Sequence, residues 1–332
     1  MKKPFLQPVG RAGYFMSKVS LNTSIERMKQ GDPLVSIALP VYNGGATLAA
    51  AIRSILCQTY TNWELIIIDD GSSDNSVAVA RNFHDPRIRL LINAENKSLP
   101  VSLNIALDNS TGEYFARMDQ DDVSFPMRIE KQVNYMQAHS SIDLLGAGIL
   151  YYSGDGVPHG KLPVRESHKD ICSKPWSGFY LAHPTWFGRK EWFMKHRYRA
   201  SATNAEDQDL LFRTYVSSHF ACLPEVLLGY REEPRFLKKI FKARFSFLKS
   251  AFIESIKSKE YVLAMKIVYT QYIKSFCDVL NVYIGVKSLR NTVLPIELVL
   301  LKEWTNIWDM VSTSDPNDKY HIYNKAISNS NN

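Results

Sequence analysis

The chain has 332 residues, 45% of them hydrophobic, and a formal net charge of +7, which suits a globular protein with one large core or a core plus a smaller appended unit. Four widely spaced cysteines without a Cys-x-x-Cys pair argue against a structural zinc site or a disulfide framework and favour a reducing compartment. The N-terminal stretch does not resemble an export signal, and no apolar run reaches the roughly 20 residues of a spanning helix, so we expect a cytoplasmic protein that is not integral to a membrane.

Strands and helices alternate through the first third of the chain. Short β-rich runs predict strands at 34–39, 63–68, 88–92 and 113–118. Between them, apolar residues at helical spacing or turn residues followed by such spacing predict helices within 46–58, 77–83 and 99–109. This alternation is typical of a mostly parallel, buried sheet with helices on both faces.

Polar and acidic residues follow three of these predicted strands, at Pro40 to Asn43, at Asp69 and Asp70, and in the run "ARMDQDD" over 116–122. The last run places three carboxylates within four positions, which repel one another unless a cation offsets them. In open α/β sheets, ligands bind beyond the carboxyl ends of the strands. We therefore expect the acidic cluster on the ligand side, although a solvated acidic turn is the simpler alternative.

The usual phosphate-binding loops are absent from the sequence. There is no Gly-x-x-x-x-Gly-Lys-Ser/Thr run, and "GAGIL" at 146–150 lacks the third glycine of a dinucleotide fingerprint, so it is interpreted as a strand. A divalent cation such as Mg²⁺ or Mn²⁺, held by carboxylates, can neutralise substrate phosphates instead. Asp119 and Asp121 are expected to alternate across a short extended segment, so that one can meet the metal and the other can reach the sugar or ribose.

The excess positive charge is concentrated in "RFLKKIFKARFSFLK" at 235–249, where six basic residues occur without an acid. This local concentration argues against a nucleic-acid partner. In a helical projection, Leu237, Ile240, Phe241, Phe245 and Leu248 fall on one side and most of the basic residues on the other, with Arg244 as the exception. Two hypotheses stay open: the helix binds an anionic membrane surface, or it packs against its own domain.

Four motifs in order give the chain a family resemblance. They are "VSIALPVYNGGATLAAAIRSILCQTYTNWELIIIDDGSSDNS", "ENKSLPVSLNIALDNSTGEYFARMDQDDVSFPMRIEKQ", "HPTWFGRKEWF" and "AEDQDLLFR". From about Leu34 to Arg231 the sequence resembles the family 2 inverting glycosyltransferases of the GT-A fold. The resemblance implies a nucleoside diphosphate sugar, most simply a UDP-sugar, as the donor.

The same resemblance implies roles for particular residues. Those expected to bind the donor are Pro40, Tyr42 and Asn43, which would line the base, Asp70, which would receive the base edge, and Asn96 of the "EN" pair. Asp119 and Asp121 match the family's Asp-x-Asp motif, which holds Mn²⁺ or Mg²⁺ on the diphosphate. Asp207 in "AED" matches the catalytic base, although an aspartate there is also well suited to capping the following helix.

Other residues near these motifs receive smaller roles. Asp122 is expected to shape its loop, while Glu206 and Asp209 are expected to orient their loop or cap a helix. His183 is assigned a supporting role near the acceptor, and Trp176, Trp186 and Trp192 are interpreted chiefly as core residues. Ser98 stands where many relatives carry glycine, which puts a close backbone approach there in doubt.

We therefore predict three regions: an N-terminal extension at 1–33, a GT-A domain at 34–232, and a helical C-terminal region at 233–332. Within the domain, 34–134 would bind the nucleotide sugar, and 135–232 would carry the catalytic base and bind the acceptor. The predicted function is sugar transfer with inversion to a glycan or lipid-linked glycan in cell-surface polysaccharide biosynthesis, at the cytoplasmic face of the membrane. The alternatives are an inactive nucleotide-sugar or glycan-binding module and a nucleotidyltransferase.

Overall fold

The structure of the protein, a computed structural model, describes residues 31–232, 237–284 and 293–312, with the backbone alone for 281–284. Of the predicted N-terminal extension, only 31–33 lie within these ranges, and Arg235 of the predicted basic helix lies outside them. The unit that contains the sheet spans Leu34–Asn332 and includes the C-terminal helices. The predicted domain boundaries at 134 and 232 stay predictions.

Nine strands of the described residues form one sheet. They are β1 Val35–Val41, β2 Trp63–Asp69, β3 Ile88–Ile92, β4 Tyr114–Arg117, β5 Val123–Ser124, β6 Leu144–Tyr152, β7 Pro158–Lys161, β8 Phe187–Arg189 and β9 Phe220–Arg231. Their order is β3-β2-β1-β4-β8-β6-β9-β5, with β7 paired to β6. The four strands predicted from the first third of the chain are thus confirmed, and "GAGIL" lies within β6.

The α-helices of the described ranges flank this sheet or follow it. They are α1 Leu48–Leu56, α2 Ser76–Arg81, α3 Leu99–Asp108, α4 Arg128–Ala138, α5 His168–Ile171, α6 Lys190–Lys195, α7 Glu206–Thr214, α8 Leu237–Lys257, α9 Tyr261–Ile284 and α10 Leu298–Val311. None of these helices combines the length and apolar composition needed to cross a bilayer.

Pairing in the sheet changes from parallel to mixed along the chain. β1 pairs in parallel with β2 and β4, and β2 pairs in parallel with β3. Beyond β4, strand β8 runs antiparallel to both β4 and β6, while β6 and β9 are parallel. The predicted α/β fold with a helical C-terminal extension is confirmed, and its parallel pairing is concentrated in β1 to β4.

Apolar residues on the two faces of the sheet explain where the helices pack. All residues of β1 and β2 are buried, as expected for strands covered on both faces. Ile37 and Leu65 belong to a core that includes residues of α1, α2 and α4. Ala38 and Ile66 belong to a second core with residues of α3, α6 and α7, to which α8 and α9 contribute.

The basic helix forms, and the residues of its predicted apolar side differ in their exposure. Leu237, Ile240 and Leu248 are half-buried, whereas Phe241 and Phe245 are exposed beside the lysines. The exposure of these two phenylalanines does not decide between the two hypotheses for this helix, which stay predictions. Arg244, the exception in the projection, is explained by its ion pair with Asp278 of α9 at 2.5 Å.

Candidate functional site

A cavity of about 1040 Å³ lies beyond the carboxyl ends of β1, β2 and β4, as expected for a sheet of this type. The structure brings most of the residues predicted for the site together at this cavity. Its lining includes Pro40, Tyr42, Asp70, Asn96, Asp119, Asp121 and Asp207. Asn43 is not among the residues that line it. The site therefore unites segments that are more than 160 positions apart in sequence.

Asn43 shapes the loop after β1 instead of facing the cavity. Its backbone is left-handed, with φ of 50°, a conformation that asparagine tolerates better than most residues. The Asn43 Oδ1 accepts the Ser73 backbone N–H at 2.9 Å, and its own N–H donates to the Ser72 Oγ at 2.9 Å. These bonds tie the loop after β1 to the loop after β2.

Gln120 connects the loop after β1 to the acidic turn. Its Oε1 accepts the Tyr42 N–H at 2.8 Å and its Nε2 donates to the Tyr42 carbonyl at 3.2 Å. A Cβ at position 44 would come within 2.5 Å of the same amide, so Gly44 makes room for it. Sequence reasoning missed Gln120, because a glutamine between two aspartates gives no local signal for a contact 78 positions away.

Asp70 is buried at the end of β2 and holds the loop before α3. Its Oδ1 accepts the Asn93 side-chain amide at 2.8 Å and the Lys97 N–H at 3.0 Å. Its Oδ2 accepts the Ser98 N–H at 2.9 Å. Ser98 has φ of 82° and ψ of 153°, a region of backbone conformation occupied almost only by glycine. A serine at this position therefore holds a strained backbone conformation that glycine would adopt without strain.

The acidic residues after β4 form a turn, and the expectation of an extended segment was wrong. The Asp122 N–H approaches the Asp119 carbonyl at 3.5 Å across this turn. Tyr152 of β6 donates its hydroxyl to the Asp121 carbonyl at 2.6 Å. The turn places Asp119 and Asp121 at the cavity, while Asp122 is buried and its Oδ1 accepts the Arg231 N–H at 3.0 Å.

The charges of the turn are partly offset by a buried arginine. The Arg117 guanidinium lies 2.5 Å from Asp119 Oδ1, and its Nε and Nη1 have no hydrogen-bond partner among the described residues. Burial, followed by the charges of Asp119 and Asp121, raises the pKa of Asp122 well above its usual value. The turn thus concentrates more negative charge than Arg117 alone neutralises.

The donor set fits a cation that is shared with a substrate. No group of three His, Cys, Asp or Glu side chains gathers into a metal site within the described ranges. Magnesium is commonly bound through one or two carboxylates together with substrate phosphates, so it does not need a complete protein cage. Asp119 and Asp121 provide such a pair at the cavity, with Asp119 also bound to Arg117.

Asp207 lies in the first turn of α7 and lines the cavity. The helix is preceded by Ala205 at the N-cap position, and no side chain caps it. Asp207 therefore does not fill the capping role that the sequence left open. Its Oδ2 accepts a hydrogen bond from the side-chain Nε2 of Gln208 at 3.1 Å. A carboxylate in this position benefits from the positive end of the helix dipole.

The two acids that flank Asp207 are buried in different surroundings. Asp209 accepts the Arg213 Nε at 2.9 Å and the Ser250 hydroxyl, so it fastens α7 to α8. Glu206 has an Oε2 without a partner among the described residues. Burial and the neighbouring Asp207 raise the pKa of Glu206 to about 7.

His183 lines the cavity beside these acids. Its Nε2 shares a hydrogen bond of 2.9 Å with the Tyr198 hydroxyl, and its Nδ1 lies 3.9 Å from Glu206 Oε1. Burial and then the Arg117 charge lower the pKa of His183 well below its usual value, so the ring is neutral at pH 7. Trp186 and Trp192 are buried in the core as expected, and Trp176 is half-buried.

Comparisons with known proteins agree with this geometry. The sequence model of the family described as glycosyl transferase family 2 matches residues 36–197. EpsE of Bacillus subtilis (strain 168), a protein assigned to the glycosyltransferases, is 44% identical over 214 residues, which are 62% of this chain and 76% of EpsE. The UDP-Glc:alpha-D-GlcNAc-diphosphoundecaprenol beta-1,3-glucosyltransferase WfgD of Escherichia coli is 43% identical over 105 residues, which are 32% of this chain and 42% of WfgD.

A solved structure shows the same fold. The mannosyltransferase PcManGT from Pyrobaculum calidifontis, in complex with GDP-Man and Mn²⁺, matches with a TM-score of 0.55 at 14% sequence identity, over 96% of this chain and 95% of that chain. From the family match and the extent of the similarity to EpsE, we conclude that the chain belongs to glycosyl transferase family 2 and has the GT-A fold.

Proposed function

We propose that this glycosyltransferase moves one sugar from a UDP-sugar to a hydroxyl of a glycan or lipid-linked glycan, with inversion, in cell-surface polysaccharide biosynthesis. The observation that carries the proposal is the shared cavity. It is lined by a pair of carboxylates suited to a diphosphate-bound cation, Asp119 and Asp121, and by a separate carboxylate, Asp207, suited to a base. An inverting displacement needs these two functions at opposite ends of the reacting bond.

The donor and acceptor are inferred from chemistry and from the relatives. WfgD carries UDP-Glc and a diphosphoundecaprenol-linked sugar in its name, which supports a UDP-sugar donor and a lipid-linked acceptor here. PcManGT binds GDP-Man, so a GDP-sugar is the competing donor. A lipid-linked acceptor would place the enzyme at the cytoplasmic face of the membrane.

The residues of the acidic turn would hold Mn²⁺ or Mg²⁺ on the donor diphosphate. When bound, such an ion stabilises the negative charge that develops on the leaving diphosphate. Arg117 pairs with Asp119 and fixes this carboxylate, and Tyr152 fixes the backbone of Asp121. Both contacts keep the carboxylates in place before the donor binds, which lowers the cost of ordering them during binding.

Asp207 would act on the acceptor. Its carboxylate accepts the proton of the attacking hydroxyl as the acceptor oxygen bonds to the anomeric carbon, and the bond to the nucleoside diphosphate breaks with its electron pair on the leaving group. No acid is required on the leaving side, since the diphosphate departs as an anion. His183, neutral and bonded to Tyr198, closes the cavity wall near this carboxylate.

The test replaces Asp207 with its neutral isostere. We expect Asp207→Asn to keep near-parent folding and donor binding but to lose on the order of 10²–10⁴ in turnover, as expected for a missing general base. NMR of the product with the parent enzyme should show an anomeric configuration inverted relative to the donor. The matched control is Asp309→Asn, an exposed aspartate on α10, which should leave turnover unchanged.

Two outcomes would overturn the assignment. One is an Asp207→Asn enzyme within a few-fold of the parent, and the other is a product that retains the donor configuration. The competing functions give different results in the same assay: an inactive binding module binds a donor without consuming it, and a nucleotidyltransferase releases pyrophosphate from a nucleoside triphosphate and a sugar phosphate.

A further inference from the structure

The hairpin of α8 and α9 carries a large exposed apolar surface that the catalytic cavity does not use. On α8, Phe245 is 68% exposed. On α9, Met265 is 66%, Tyr272 74% and Phe276 58% exposed. We define the hairpin face as the exposed apolar residues Phe241, Phe245, Phe252, Ile256, Tyr261, Met265, Tyr269, Tyr272 and Phe276. Contiguous exposed apolar surface of this kind marks an interaction site more often than a free surface.

Both helices turn this face away from the rest of the protein. On α8, Ser250 donates to Asp209 and Glu254 pairs with Arg199 at 2.8 Å, so this side faces the domain. At 3.6 residues per turn, Phe245 and Phe252 lie about half a turn away from Ser250 and Glu254.

Helix α9 also contacts the domain with the side opposite its exposed apolar residues. Gln271 Nε2 donates to the Trp176 carbonyl at 3.1 Å and Lys274 donates to the Ser177 carbonyl, so these residues mark the inner side. Met265 and Phe276 lie about half a turn away from Lys274. The ion pair of Arg244 with Asp278 joins the two helices side by side, so their outer sides form one surface.

The exposed charges on this hairpin are mostly positive. The acids within the two helices, Glu254 and Asp278, are paired with arginines. Exposed lysines lie beside the apolar residues at Lys238, Lys242, Lys249 and Lys259. Lys257 instead pairs with Glu254 and Lys266 lies over the Trp176 ring, and Glu260 is the exposed acid between the helices. The surface therefore complements a negatively charged partner.

We propose that the hairpin face lies on an anionic lipid bilayer. Phenylalanine and methionine side chains can enter the acyl boundary, tyrosine suits the headgroup level, and lysines attract anionic headgroups. A second copy of the chain is the weaker occupant, because a two-fold contact would bring the lysines of both copies together. The earlier hypothesis for 235–249 thus extends to α9, which the sequence did not single out.

The position of α8 relates the bilayer to the catalytic cavity. Lys239 and Ile240, in its first turn, line the cavity, so the cavity opens beside the proposed membrane-facing hairpin. A lipid-linked acceptor could then present its sugar while its lipid stays in the bilayer. This last step rests on the proposed function, whereas the binding of the hairpin face to lipid does not.

The test is flotation of the full chain with vesicles of phosphatidylcholine alone or mixed with phosphatidylglycerol. We expect binding to the mixed vesicles that weakens with salt. Met265→Ser, Tyr272→Ser and Phe276→Ser combined should abolish it, and Lys238→Gln, Lys242→Gln and Lys249→Gln combined should weaken it on the order of a hundredfold, because each basic residue contributes about 1 kcal/mol. These side chains are exposed, so the fold should persist.

Val216→Ser is the matched control, since Val216 is 80% exposed outside the hairpin. It should float as the parent does. The proposal is overturned if the parent does not bind the mixed vesicles or if neither combined variant binds less. A dimer in sedimentation that the serine substitutions dissociate would also overturn it in favour of a second copy. Transfer to a soluble acceptor should persist in both variants, which separates this result from a failure of the proposed function.

Discussion

We expect Glu206 to give the protein an unusual dependence of stability on pH. The carboxyl group is buried, its Oε2 has no partner among the described residues, and its pKa is raised to about 7 by burial and then by the Asp207 charge. Arg117 opposes this shift and Asp119 adds to it. His183 lies 3.9 Å away but is neutral, because its own pKa is lowered. Glu206 therefore prefers to be protonated in the folded protein.

The sign of the effect follows from proton binding. In the unfolded chain the carboxyl group titrates near 4.5, and in the folded protein near 7, so the folded state binds more protons between these values. Stability contributed by Glu206 is present below the unfolded pKa and is lost as the pH rises through the folded pKa. At 1.36 kcal/mol per pKa unit, the loss across this window is about 3 kcal/mol.

The perturbation is Glu206→Gln, which keeps the shape and removes the titration. We expect the variant to gain about 3 kcal/mol of unfolding free energy relative to the parent between about pH 4.5 and about pH 8. The assay is urea unfolding followed by tryptophan fluorescence, with chelator and without nucleotide. Taking the difference between the two proteins cancels titrations that they share.

One result would refute this reasoning. If the difference in unfolding free energy between parent and variant is the same at both ends of the pH window, Glu206 has an ordinary pKa in the folded protein. The side chain would then be reached by water or paired with a group that offsets its charge.

Two further predictions concern the metal and the loop before α3. Chelation should abolish turnover. Asp121→Asn should lower turnover by on the order of 10²-fold or more through lost charge stabilisation, and calorimetry in the presence of UDP should show weaker Mn²⁺ binding. Full activity in excess chelator contradicts this prediction. Ser98→Gly should raise the unfolding free energy by about 1 kcal/mol, because it relieves a backbone strain of about 1–3 kcal/mol. Ser141→Gly, at an exposed turn without positive φ, should instead lower it by about 0.5–1 kcal/mol, and equal effects at both positions would exclude strain at Ser98.

The first half of the fold could be predicted because its signals are local. β1 and β2 are mainly apolar runs whose residues are all buried, and apolar residues recur at helical spacing in α1. The second half could not be predicted in the same way. β5 and β8 have two and three residues, too few for a periodic pattern, and their antiparallel pairing depends on partners far away in sequence.

In the candidate site, too, residues with a local sequence signal could be predicted and residues that depend on distant contacts could not. Asp70, Asp119 and Asp121 could be singled out because they follow predicted strands, and Asp207 because it matches a family motif; all four line the cavity. Gln120 and Tyr152 were missed because they act through hydrogen bonds to distant backbone groups, two between Gln120 and Tyr42 and one from Tyr152 to Asp121. Asn43 was expected to line the nucleobase, but its side chain binds the backbone of Ser73. Only the packing of two loops reveals this contact.

Arg128 shows how the fold joins the two halves of the cavity. It is fully buried at the start of α4, and its Nη2 donates to the carbonyls of Arg117 at 2.6 Å and Pro184 at 2.9 Å. The first carbonyl precedes the acidic turn and the second follows His183, so one guanidinium holds the acidic turn and the His183 segment in register. Burial lowers the pKa of Arg128 to about 9, yet it remains charged at pH 7. Arg128 does not line the cavity, so the cost of burying its charge is offset by fixing two parts of the cavity wall relative to each other before a ligand binds.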